Sequence, residues 1–110
     1  MLTNKIYIAG PMSGIKDYNA GNFYAASDYF EGIGWEVFNP ITSEASILTQ
    51  AGELRGQQAY RECLFTDLEW ICKHATHIYF LSGWEKSLGS KSEHATAVAL
   101  GLKILYEQGS

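Results

Sequence analysis

Apolar positions along this chain fall into two alternating spacings. Short runs of four to six residues, "KIYIA" (Lys5 to Ala9), "WEVF" (Trp35 to Phe38), "THIYFL" (Thr76 to Leu81) and "LKILY" (Leu102 to Tyr106), are rich in β-branched and aromatic side chains. That pattern predicts four strands. Between the runs the apolar residues recur at steps of three and four. Phe23, Ala26, Phe30 and Ile33 predict an amphipathic helix from about Tyr18 to Ile33, ended by Gly32 and Gly34. Tyr60, Leu64, Leu68 and Ile71 predict a second helix from about Gln57 to Lys73, with those four as its buried stripe. "EHATAVALG" predicts an alanine-rich third helix closed by Gly101.

The predicted order is β-α-β-α-β-α-β. Short connections with a helix between successive strands demand a parallel sheet with right-handed crossovers. Ligands of such open sheets bind beyond the carboxyl ends of the strands. That rule gathers Gly10-Pro11-Met12-Ser13-Gly14, Asn39-Pro40, the Gly/Ser-rich stretch from Ser82 to Ser92 and the start of the last helix at one edge. From Ile41 to about Gly56 the pattern fades, and a mobile loop or a short helix is expected there. At 110 residues, with no repeat or linker, the chain reads as a single domain over residues 1–110.

Composition narrows the functions. A formal net charge of -4 and the lack of a basic run exclude the footprint of a duplex-binding protein. A small anionic ligand held by backbone amides stays open. Cys63 and Cys72 are the two cysteines. On one helix, nine residues put them on opposite faces, so they do not pair. No cysteine–histidine spacing suits zinc, so neither metal nor cofactor is expected. The N-terminal apolar run is too short for a signal peptide, and no segment approaches transmembrane length. A soluble, cytoplasmic protein is expected.

Several residues then offer chemistry. The "GPMSG" loop has exposed N–H groups and a serine hydroxyl at a strand end, although it lacks the Gly-Lys-Ser/Thr of a P-loop and serves equally as an ordinary turn. Asp67 lies on or beside the apolar stripe of its helix, where a carboxylate must be hydrogen-bonded or line a cleft. Tyr7 lies mid-strand, the usual place for a core aromatic. Trp84 follows the third strand and suits either stacking on a base or covering the sheet end. His94 reads as helix surface or a local hydrogen-bonding group. Ser90 and Glu93 stand at capping-box spacing, in which the glutamate would serve only to start a helix.

Taken in order, "KIYIAGPMSG", "TDLEWICKHATHIYFL" and "SLGSKSEHATAVALG" resemble the nucleoside 2-deoxyribosyltransferase superfamily. That superfamily includes the 2′-deoxynucleoside 5′-monophosphate N-glycosidases and a branch of short phage and bacterial proteins that this chain resembles most. The strand-end Y-x-x-G matches Tyr7 and Gly10. D-L-x-W matches Asp67, Leu68 and Trp70. S-L-G-x-x-x-E matches Ser87, Leu88, Gly89 and Glu93.

The resemblance implies a Rossmann/flavodoxin-like three-layer sandwich and cleavage or exchange of an N-glycosidic bond. It implies Glu93 as nucleophile, Tyr7 as the hydroxyl that positions it and Asp67 as the second carboxylate, assisting the departing base. Ser87 and Gly89, with Gly10, Pro11, Met12, Ser13 and Gly14, would hold the 5′ end of a nucleoside or nucleotide. A homo-oligomer, dimer or larger, is also expected. His94 and Ala95 stand where the family carries an apolar residue and a glycine. The alternative is therefore a nucleotide-binding module without turnover, and a third reading is hydrolysis of a ribosyl bond such as that of NAD.

Overall fold

A computed structural model describes residues 3–43 and 57–108. Four strands, β1 (Lys5–Ala9), β2 (Glu36–Phe38), β3 (His77–Phe80) and β4 (Lys103–Tyr106), form one parallel sheet in the order β2-β1-β3-β4. Three helices connect them: α1 (Ala20–Gly32), α2 (Gln57–His74) and α3 (Leu88–Leu100). Residues 40–43 are also helical; the rest of the expected 41–56 loop lies outside the described residues. The protein thus has the parallel α/β sheet that the alternation of spacings predicted, in the three-layer sandwich that the resemblance implies.

The strand pattern fixes the layers. Successive side chains of a strand point to opposite faces. Ile6 and Ile8 of β1 pack with Phe23 and Phe30 of α1 on one side. Tyr7 and Ala9 pack with Ile71 of α2 and Ala97 of α3 on the other. All four β1 residues are at most 1% exposed, as suits a central strand covered on both faces. Registers align Tyr7 with Phe38 on β2 and with Ile78 on β3. The chain leaves β1 toward β2 on one side and, later, toward β3 and β4 on the other. The crevice between the carboxyl ends of β1 and β3 is therefore the topological switch point.

Three expectations change in detail. The last helix begins at Leu88, five residues before Glu93, because Ser87 in extended conformation caps it. The Ser87 Oγ accepts the Ser90 N–H at 3.2 Å. Ser90 and Glu93 lie inside the helix, so the capping-box reading is overturned. In α2 the buried line runs through Cys63, Asp67 and Ile71, while Leu64 and Leu68 are half-buried and Tyr60 is exposed. In α1, Ser27 takes a buried place, its hydroxyl donating to Glu31 Oε1 at 2.9 Å, and Ile33 is exposed. Gly101, at φ 71°, ends α3 in the left-handed conformation that glycine adopts without strain.

Both cysteines lie on α2, Cys63 buried and Cys72 exposed, and neither is in a disulfide. Among the described residues, no helix is long and apolar enough to cross a membrane.

Candidate active site

The switch point holds the site. The Tyr7 hydroxyl donates to Glu93 Oε2 at 2.6 Å, a short hydrogen bond between β1 and α3. The tyrosine ring is held by its neighbours. It stacks on Phe38 with centroids 5.4 Å apart and meets Trp70 at 6.5 Å. Register explains this: Tyr7 faces Phe38 across the sheet, while Trp70 comes down from α2. Glu93 reaches the same place because Ser87, Ser90 and Glu93 recur every three residues along the inner side of α3.

Tyr7, Asp67 and Glu93 line one inner cavity of about 110 Å³. Asp67 and Glu93 are each 5% exposed, so two carboxylates are nearly withdrawn from water at the same hollow. Such burial is expensive for a purely structural pair, and it is the arrangement in which acid–base and nucleophilic groups are found. Gly10, Met12, Ser13, Ser87 and Gly89 also line it, as do Pro40, Tyr60, Cys63 and Ser90. A wider outer cavity of about 600 Å³ continues past Met12, Ser13, Tyr60, Ser87 and Gly89 to Pro11, Ser82 and Lys86. Lys86 is the cation among its described lining residues.

Gly10 has a steric task. A Cβ at this position would stand 2.8 Å from Leu81 Cβ, because the ends of β1 and β3 approach each other here. A side chain would push apart the two strands that make the crevice. The loop that follows is tied down by Asn19, whose Nδ2 donates to the Pro11 carbonyl at 3.1 Å. Asp17, Tyr18 and Asn19 hold φ of 54°, 54° and 65°, a left-handed run of three non-glycine residues. Each costs about 1–2 kcal/mol, so this turn stores strain beside the site.

Of the residues picked out from the sequence, Tyr7, Gly10, Met12, Ser13, Asp67, Ser87, Gly89 and Glu93 line the inner cavity, and Pro11 lines the outer one. Gly14 and Trp84 line neither. Trp84 instead stacks on His94, with centroids 4.6 Å apart and planes 19° from parallel, and packs on Phe80 and Tyr106. His94 Nε2 lies 2.9 Å from the Tyr106 hydroxyl, which completes this aromatic group on the β4 side.

Tyr60, Cys63 and Lys86 were not foreseen as site residues. A signal for the first two existed, since positions four and seven before Asp67 share its helix face. Among the described residues, no group of three or more histidine, cysteine or acidic side chains is placed to hold a metal ion.

Residues 4–106 match a family described as a domain of unknown function (DUF4406), and the chain belongs to it. No curated protein matches the chain in sequence.

Proposed function

We propose that this protein cleaves or exchanges the N-glycosidic bond of a 2′-deoxynucleoside or its 5′-monophosphate, with Glu93 as nucleophile. The observation that carries the reading is the Tyr7–Glu93 hydrogen bond in a cavity that Asp67 also lines. The likeness of "KIYIAGPMSG", "DLEW" and "SLGSKSE" to the nucleoside 2-deoxyribosyltransferase superfamily points to the same three residues.

The chemistry follows from these groups. Tyr7 holds the carboxylate by one oxygen, so that Glu93 presents a fixed face to the anomeric carbon. The bond from that carbon to the base nitrogen breaks through an oxocarbenium-like state, and a carboxylate oxygen bonds to the carbon as a glycosyl ester. The bonding electron pair leaves with the base, which takes up a proton delivered through Asp67. In hydrolysis, water then attacks the anomeric carbon, gives a proton to Asp67 and displaces the Glu93 carboxylate. In transfer, a second base takes the place of water. The outer cavity, bordered by Lys86, Ser13 and Ser87, accommodates the 5′ end.

The assembly is read as a homo-oligomer in a cytoplasmic setting. Phe65, Leu88 and Val98 on α2 and α3 are large apolar side chains that remain exposed in the single chain. A second copy would cover such surface.

The experiment incubates the protein with each common 2′-deoxynucleoside and 5′-monophosphate and looks for free base by chromatography. Release of base with loss of the substrate supports the reading. Nucleotide binding without any release would replace it by the alternative, a nucleotide-binding module.

A further inference from the structure

Ser90 is a buried hydroxyl that the proposed reaction does not use. The residue is 2% exposed and lines the inner cavity, and its Oγ makes no hydrogen bond with the described residues. A buried hydroxyl without a partner costs free energy that an alanine at the same place would not. The hydroxyl is shut off from solvent where it stands, but rotation about one bond moves it and breaks no hydrogen bond. The backbone of Ser90 is already fixed, since its N–H is taken by Ser87 Oγ.

Position along α3 suggests what would meet this hydroxyl. Ser87, Ser90 and Glu93 line the same cavity at steps of three residues, each step rising about 4.5 Å along the helix. If Glu93 attacks the anomeric carbon, it does so from the sugar face opposite the departing base. In a nucleoside the 2′ and 3′ hydroxyls project from that same face. Ser90 lies one helical step from Glu93 toward Ser87 and the outer cavity, hence toward the 5′ end of the sugar. The hydroxyl found there is the one on C3′.

The geometry points to Ser90 as a specificity-determining residue that hydrogen-bonds the 3′-hydroxyl of the sugar. The inference rests on Glu93 being the group that attacks C1′. A site with a buried hydroxyl waiting for a partner discriminates against the analogue that lacks it, because binding that analogue leaves the hydroxyl unpaired.

The test compares 2′-deoxy and 2′,3′-dideoxy substrates of the adenine and cytosine series, each as nucleoside and 5′-monophosphate, for wild type and Ser90→Ala. Base release is measured as kcat/KM, and binding is measured by calorimetry on Glu93→Gln with and without Ser90→Ala. In the presence of Ser90 the 3′-hydroxyl should favour the substrate at least tenfold. In Ser90→Ala that ratio should fall toward one, while the melting temperature stays level or rises. Turnover with an unchanged ratio in Ser90→Ala would overturn the role of Ser90 and leave the enzymatic reading intact. Binding without turnover, with the ratio still lost in Ser90→Ala, would retain the Ser90 contact and overturn the enzymatic reading. Failure of every substrate to bind or react would overturn both.

Discussion

The Tyr7 hydroxyl and the Glu93 carboxylate, 86 positions apart in the chain, meet at 2.6 Å in the crevice between β1 and α3. A strand and a helix from opposite ends of the chain are thereby joined by a hydrogen bond to a buried carboxyl group. The bond orients the glutamate, and it also contributes to holding α3 on the sheet.

Tyr7→Phe separates these two roles. The ring keeps its stacking on Phe38, but the donor is lost. Removing a hydrogen bond to a charged group costs about 1.5–3 kcal/mol, which a thermal melt will register. Misplacement of the carboxylate should lower base release on the order of 10²-fold. A variant with wild-type turnover would show that Tyr7 does not position the nucleophile.

Gly10→Ala tests the close approach of β1 and β3. The added methyl would meet Leu81 Cβ at 2.8 Å and Cδ1 at 3.0 Å. Overpacking of this kind costs about 1–3 kcal/mol. The melting temperature should fall, and base release should fall beyond what the loss of folded protein explains, because the crevice itself is spread. An unaffected melt would mean that Leu81 yields without cost.

How much of this was legible in the sequence varies by residue. The four strands were, because β1 and β3 are buried on both faces and read as unbroken apolar runs. The convergence of Tyr7, Asp67 and Glu93 on one cavity was, through the motifs in which they stand. The start of α3 was not. "SLGSKS" looks like a loop because its apolar residue, Leu88, is 76% exposed and leaves no periodic signal. The buried line of α2 was misread for a related reason. Cys63 and Asp67 turn inward to the cavity while the larger Tyr60 stands at its mouth, so hydrophobic periodicity fails where the site begins. Trp84 suited a ligand or a packing role equally, and only the fold brings His94 and Tyr106 beside it.

His77 gives a pH dependence away from the site. It opens β3 under Trp35, with ring centroids 4.6 Å apart. Burial first, and then the charge of Lys103, lower its pKa from the ordinary 6.5. The unfolded chain therefore takes up a proton at a higher pH than the folded one. The stabilising contribution is present above the ordinary value and is lost as pH falls through it toward the lower folded value. Melting temperature should drop between about pH 7 and pH 5, and His77→Gln should show a shallower drop. Identical slopes would remove His77 as a cause.

Self-association should appear in sedimentation velocity as a species of at least two chains. Val98→Glu, which places a charge on an exposed apolar site of α3, should weaken it. A wild-type protein that sediments as a monomer at high concentration contradicts the oligomer.

Glu93→Gln bears most directly on the central claim. The amide oxygen can still accept from Tyr7, so the variant should fold and melt near wild type. It cannot form the glycosyl ester, because an amide is not a competent nucleophile for the anomeric carbon. The measurement is free base released from 2′-deoxynucleosides and their 5′-monophosphates, by wild type and by folded Glu93→Gln at equal concentration. The account predicts release by wild type and background alone from the glutamine variant. Undiminished release from a folded Glu93→Gln would contradict it.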